Sequence, residues 1–295
     1  MMESCVVTTK TGVTEYLFSN RSTTPVVLLS GVGGSLYEWK EIITTSELSV
    51  LAYNRAGYGR SKSVRREGTV EEASHELHAL LSELGITQKI LLAGHSYGGL
   101  IAQDFAIRYP GAVLGVLLID STSINIERID DVEHSDETTS DVYWIHKCEA
   151  YARIKREDLM NEIQPELPEK FKLWEREVQT ALIDHETSPS MYRAVGAEIR
   201  HMPQSAKRLN TADFPDIPLT VIGRDGKFAA DQQINAGLPK SEAIAFEEVW
   251  TELIHEQTSL SSRSVYIKAE GAGHNIPYDC PELIIKEMTR LHSRI

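Results

Sequence analysis

The stretch LLAGHSYGGLIAQDFAIRYP, residues 91 to 110, sets Ser96 between Gly94 and Gly98, where a short apolar run gives way to a helical pattern. Strand, Gly-x-Ser-x-Gly and helix in that order form a nucleophile elbow. A backbone turning that sharply is strained and tolerates only small neighbours, which the two glycines supply. The strain points the serine Oγ away from the sheet, and the N-terminus of the following helix brings backbone N–H groups and positive potential beside it. The hydroxyl is therefore placed where negative charge would develop during attack on a carbonyl.

Such a hydroxyl needs a base. Of the ten histidines, His274 follows a strand end and a glycine pair in EGAGHNIPYD. An imidazole with a pKa near ~6.5 can accept the serine proton and return it at neutral pH. A carboxylate must then hold the ring's tautomer, and it must come from a neighbouring strand end. Two aspartates qualify by position: Asp120 in VLLIDSTS and Asp225 in VIGRDG. His95 adjoins Ser96, but consecutive residues of an elbow point in different directions, so it reads as packing. His75 and His78 lie three apart on a helical pattern with no third ligand in sight, so neither a metal nor a cofactor is expected.

The elements that must position these groups alternate along the chain. CVVTT and TEYLF flank KTG and predict a hairpin. PVVLLSG (25 to 31), LSVLAYNRAG (48 to 57), KILLAG (89 to 94) and AVLGVLLID (112 to 120) are continuous apolar runs, as in parallel strands buried on both faces. Between them GTVEEASHELHALLSELGI carries Ala73, Leu77, Leu80, Leu81 and Leu84 at helical spacing, with Thr69 and Glu72 placed to cap it reciprocally. IPLTVIGRDG, AFEEVWTELIHEQTSLS, SVYIKAEGAGH and CPELIIKEMTRLH resume the alternation near the C-terminus. The pattern predicts an α/β fold with a mostly parallel, doubly wound sheet. Residues 121–211 lack strand-like runs and predict a helical insertion after the sixth strand, leaving 1–120 and 212–295 as the core. The acidic run from Glu127 to Asp141 reads as a solvated face.

Composition excludes several classes. The 43 acidic and 30 basic residues give a formal charge of −13, which repels nucleic acid and anionic membranes. No apolar stretch approaches the roughly 20 residues needed to span a bilayer. The N-terminus lacks the basic and apolar regions of a secretory signal, and the three cysteines form no CxxC pair. The expectation is a cytoplasmic chain acting on a small molecule, as monomer or homodimer.

With these residues in view, the chain resembles the α/β-hydrolase fold over nearly its full length. SGVGGSLYEW (30 to 39) resembles that family's oxyanion loop, with Ser30 where a histidine is common. NRAGYGRS (54 to 61) resembles its DxxGxGxS loop, with Asn54 for aspartate. EGAGHNIPYDCPELI resembles the loop of its catalytic histidine, and the family order is serine, acid, histidine. The resemblance implies an esterase-like serine hydrolase with a helical cap. Ser96 would be nucleophile and His274 base, with the N–H groups of Val32 and Tyr97 as oxyanion hole. Asp120 is the preferred acid, since VLLIDS resembles a run where some subfamilies place it, and Asp225 is the alternative. Gly31, Gly33, Tyr143 and Trp144 would meet substrate. Serine at the elbow speaks against epoxide hydrolase and dehalogenase chemistry, which the family runs on aspartate. Two other functions stand beside the ester-cleaving one: a small-molecule binder or receptor with little turnover, and a proline-type aminopeptidase, whose GGxPG loop lacks its proline here.

Overall fold

The computed structural model describes residues 3–63, 67–132, 135 and 140–294. The acidic-run residues 133–134 and 136–139 lie outside them. Among the described residues nine strands form one sheet, in the order β1-β2-β4-β3-β6-β7-β8-β9, with β5 pairing β2. β1 (Cys5–Thr9) and β2 (Gly12–Ser19) make the antiparallel hairpin at one edge. β3 (Val26–Leu29), β4 (Val50–Tyr53), β6 (Ile90–His95), β7 (Val113–Ile119), β8 (Leu219–Arg224) and β9 (Ser264–Ala269) run parallel. β5 (Lys62–Ser63) is two residues long, too short to leave a pattern in the sequence. It makes the insertion follow the seventh strand rather than the sixth.

The apolar strand runs are explained by burial on both faces. Along β6, Ile90 and Leu92 join one core while Leu91 and Ala93 join the other. The first core is closed by α2 (Val70–Glu83), α3 (Tyr97–Arg108) and α9 (Lys240–Glu256). The second is closed by α1 (Lys40–Thr45) and α11 (Pro281–His292). The capping of α2 departs from the reciprocal box. Thr69 accepts from the Glu72 N–H at 3.2 Å, but the Glu72 carboxylate reaches past it to the N–H groups of Glu67 and Gly68, at 2.7 and 2.8 Å. The positive φ of Gly68 (+82°) folds the chain back within that reach.

Between β7 and β8 the chain forms α4 (Asp141–Tyr151), α5 (Arg156–Ile163), α6 (Arg176–Glu186) and α7 (Pro189–Arg208). Cys148 of α4 and Met191, Ala194 and Val195 of α7 form a small apolar cluster with Tyr58, and Val32 packs against it. The insertion thus rests on the loops that follow β3 and β4. α8 (Gly226–Asn235) follows β8, and α10 (Ile276–Asp279) follows β9. Among the described residues no helix is long and apolar enough to cross a membrane.

Phe105 carries α3 against the sheet with none of its surface exposed. Phe105→Ala is expected to cost about 3–5 kcal/mol in urea unfolding, the usual penalty for emptying a buried aromatic site; a loss below about 1 kcal/mol would contradict this packing.

Candidate active site

β6 ends at His95 and α3 begins at Tyr97, so Ser96 alone makes the turn, with φ 52° and ψ −124°. Left-handed φ is uncommon and costly for a residue with a side chain. The surroundings enforce it. Ser96 N–H donates to the Ile119 carbonyl of β7 at 3.1 Å, and its own carbonyl accepts from Gly99 and Thr122. A Cβ on Gly94 would stand 2.3 Å from the Gly98 carbonyl oxygen, and one on Gly98 would stand 2.1 Å from that of Leu29. Both contacts are with backbone, so the two glycines are required by space.

Asp120, the first residue after β7, is the second strained position, with φ 40°. Because β6 and β7 pair in parallel with His95 beside Ile119, Ser96 and Asp120 leave the same edge of the sheet side by side. The Asp120 side chain is fully buried, accepts three hydrogen bonds and pairs with one cation. His274 Nδ1 lies 2.6 Å from Oδ2, while Trp250 Nε1–H and the Arg224 backbone N–H reach Oδ1 at 3.0 and 3.2 Å. The Arg224 guanidinium stands 3.4 Å from Oδ2 and is itself bonded to Glu247 at 2.8 Å. Burial alone would raise the Asp120 carboxyl, but the His274 bond, the Arg224 charge and the Trp250 N–H outweigh it and hold the group below the usual carboxylate range.

The structure thereby brings His274 to Asp120 and not to Asp225. The Asp225 carboxylate instead accepts from the Gly271 N–H at 3.2 Å and faces Lys268, tying down the loop that leads into His274. The alternative placement of Asp225 beside the imidazole is corrected by these bonds: its carboxylate is engaged by the loop backbone before His274, while the ring is held by Asp120.

His95 does more than pack. Its Nε2–H donates to the His274 carbonyl at 2.8 Å, and the two rings lie 4.8 Å apart. Burial, and then the neighbouring His274, push its pKa down to about 3, so the ring stays neutral. The elbow and the histidine loop are thus stapled together by the residue next to Ser96. His274 itself is about one-third exposed.

The loop after β3 closes the site from the other side. Gly31 lies so near Ser96 that a Cβ there would be 3.1 Å from the serine Cβ and 3.5 Å from Oγ. Residues 31 to 34 form a turn closed by Gly34 N–H to the Gly31 carbonyl, with Gly33 at φ +76°. Position i+2 of a type II turn calls for that conformation, which glycine adopts without strain. Val32 lies between these glycines, and Tyr97 is the first residue of α3, where N–H groups point outward along the helix axis. Ser30 Oγ accepts from Trp39 Nε1 at 2.7 Å, a structural bond that ties the start of this loop to Trp39. Asn54 Oδ1 accepts from the Leu36 N–H at 2.9 Å and so braces the same loop.

Arg55 carries no motif signal in the sequence, yet it is buried beside this loop. Its Nη1 and Nη2 donate to the carbonyls of Ser30 and Gly31, each at 2.7 Å, and Nε and Nη2 pair with Glu198 of α7. Burial disfavours its charge, but Glu198 outweighs that and holds the guanidinium pKa well above its ordinary value. His185 of α6 also reaches in, with Nε2–H donating to the Gly33 carbonyl at 2.7 Å. Tyr143 and Trp144 stand 37% and 42% exposed on α4 and do not belong to the apolar cluster around Val32. His75 and His78 are engaged with Tyr109, and among the described residues no group of metal-ligating side chains gathers.

Residues 24–143 match the family model described as the alpha/beta hydrolase fold. The uncharacterized protein YqjL of Bacillus subtilis (strain 168) is 22% identical over 263 residues, covering 88% of this chain and 79% of its own length. A thermophilic esterase from Thermogutta terrifontis superposes with a TM-score of 0.65 at 21% identity, covering 99% of this chain and 98% of its own. The epoxide hydrolase CorEH gives a TM-score of 0.69 at 15% identity, covering 100% and 99%.

The neutral burial of His95 sets a pH dependence. The unfolded chain takes up that proton near ~6.5, the folded chain only near about 3. Across this window the unfolded state binds more protons, so stability falls as pH drops, by about 1.4 kcal/mol per pH unit. His95→Gln can still donate to the His274 carbonyl and is expected to remove that one-proton slope from unfolding free energies measured between pH 6.5 and 4. An unchanged slope would contradict the assignment.

Proposed function

Taking as premise that this chain has the α/β-hydrolase fold, we propose that it is a serine hydrolase that cleaves carboxylic esters of small molecules through an acyl-enzyme on Ser96. The observation that carries this reading is the 2.6 Å bond between His274 Nδ1 and the buried Asp120 carboxylate. It fixes the tautomer that leaves Nε2 bare as a base, on a sheet edge shared with a strained, partly exposed serine.

In this reading Ser96 Oγ attacks the ester carbonyl carbon while His274 Nε2 takes its proton. The oxyanion is held by the backbone N–H groups of Val32 and Tyr97, in a setting where preorganised donors stabilise developing charge strongly. Collapse expels the alcohol, which leaves with the proton from His274. Water then attacks the acyl carbonyl, giving its proton to the same nitrogen, and the carboxylic acid departs as Ser96 recovers its hydrogen. Asp120 stays ionised throughout and balances the imidazolium. Arg224 beside it keeps it so, and Glu247 offsets the added positive charge. Residues 121–211 form a cap over the site in this account, supported by the contacts of Glu198, His185 and the Met191 cluster with the loops after β3 and β4. Serine in place of aspartate at the elbow favours an acyl over an alkyl intermediate.

Hydrolysis of p-nitrophenyl esters of graded chain length, followed by fluorophosphonate labelling, tests this. Ser96→Ala should abolish labelling and lower kcat by at least ~10³-fold, and Asp120→Asn should lower kcat by at least ~10³-fold with KM little changed. Asp225→Asn should stay within about threefold of wild type. A Ser96→Ala variant with wild-type turnover, or a wild-type protein that binds esters without cleaving them or reacting with the probe, would refute the hydrolase in favour of a binding protein.

A further inference from the structure

We propose that Arg55 and Glu198 are positioning residues for the oxyanion donor, so that the helical insertion supplies, through Glu198, the charge that holds the oxyanion hole in register. This rests on the serine-hydrolase reading and deepens it.

The Gly31 carbonyl and the Val32 N–H belong to the same planar, trans peptide and point in opposite directions. Arg55 Nη2 grips that carbonyl at 2.7 Å, and Nη1 grips the preceding one, of Ser30, at the same distance. Fixing the oxygens toward the guanidinium sends the Val32 N–H the other way. A cation on the carbonyl also draws electron density from the peptide and strengthens the N–H as a donor. The unit lies against the nucleophile, since a Cβ on Gly31 would nearly touch that of Ser96.

Arg55 remains charged in the interior because Glu198 pairs with it through two bonds, at 2.8 and 2.9 Å. The two side chains are 4% and 2% exposed. Glu198 Oε2 also accepts from Tyr58 Oη at 2.6 Å, and that hydroxyl oxygen accepts from the Gly33 N–H at 3.2 Å. Both peptide units flanking Val32 and the carbonyl of Ser30 therefore trace back to one carboxylate. That carboxylate sits on α7, between β7 and β8, and the Val32 side chain packs against the same helix's cluster. A guanidinium whose Nη1 and Nη2 grip two successive carbonyls while Nε and Nη2 also bond one carboxylate is a geometry that lysine cannot reproduce.

The test compares wild type with Arg55→Lys, Glu198→Gln and Tyr58→Phe in p-nitrophenyl butyrate hydrolysis. Inhibition is measured with a trifluoromethyl ketone, whose adduct with the serine carries an oxyanion, and with butyrate, whose binding forms none. Arg55→Lys and Glu198→Gln are expected to lower kcat by about 10- to 100-fold, with KM within about threefold. Ketone affinity should weaken by a similar factor and butyrate affinity should hold. Tyr58→Phe should show the same split at about 3- to 10-fold. Should the two charge variants fail to fold, Tyr58→Phe decides alone. Folded variants that keep wild-type kcat and ketone affinity within twofold, or that lose ketone and butyrate binding alike, overturn the proposal while the hydrolase reading stands. A wild-type protein inert to ester and fluorophosphonate overturns the reading and the proposal together.

Discussion

A carboxylate with none of its surface in contact with solvent governs this structure. Burying an ionised Asp120 is tolerable only if its lone pairs are satisfied and its charge is balanced, and three separate segments are drawn in to do so. The loop after β9 brings His274, α9 brings Trp250, and the end of β8 brings Arg224 with its backbone N–H and its guanidinium. Each of these groups is directed by the need of that one buried anion. The imidazole orientation on which the proposed chemistry relies is therefore a by-product of electrostatic necessity.

The sheet acts as a ruler for the rest. Parallel pairing of β6 and β7 places Ser96 and Asp120 at adjacent strand ends, and both residues carry positive φ. Strain at two neighbouring positions persists because the surroundings over-determine it: glycines that cannot be enlarged, backbone bonds from Ser96 to Ile119 and Thr122, and the His95 staple to the histidine loop. On the opposite side the loop after β3 is held by a charge as well. Arg55 and Glu198 form a second buried ion pair, and its partners come from the core and the insertion. Two buried charge clusters thus flank one partly exposed serine.

Ser96 and His274 were legible in the sequence because their signals are local: glycines around a serine between strand and helix, and a glycine pair before a histidine. The parallel sheet was legible because strands buried on both faces leave continuous apolar runs. Between Asp120 and Asp225 the sequence favoured Asp120 but kept both, since both follow strands and only the side-chain bond shows which one meets the imidazole. Arg55 and Glu198 are 143 residues apart, and a single arginine or glutamate carries no periodic signature. Trp250 reads as one more apolar position of an amphipathic helix, and only its N–H reveals a second role. Within α7, Pro189, Gly196 and Pro203 blur the helical pattern that carries Glu198.

The His274 Nδ1 proton sits in a short bond to Asp120, and the Asp225 carboxylate is engaged elsewhere. Proton NMR of the free protein tests it most directly. The account predicts a far-downfield resonance that correlates with the His274 ring nitrogen, disappears in Asp120→Asn and survives in Asp225→Asn. A resonance lost with Asp225 and kept without Asp120 would contradict it.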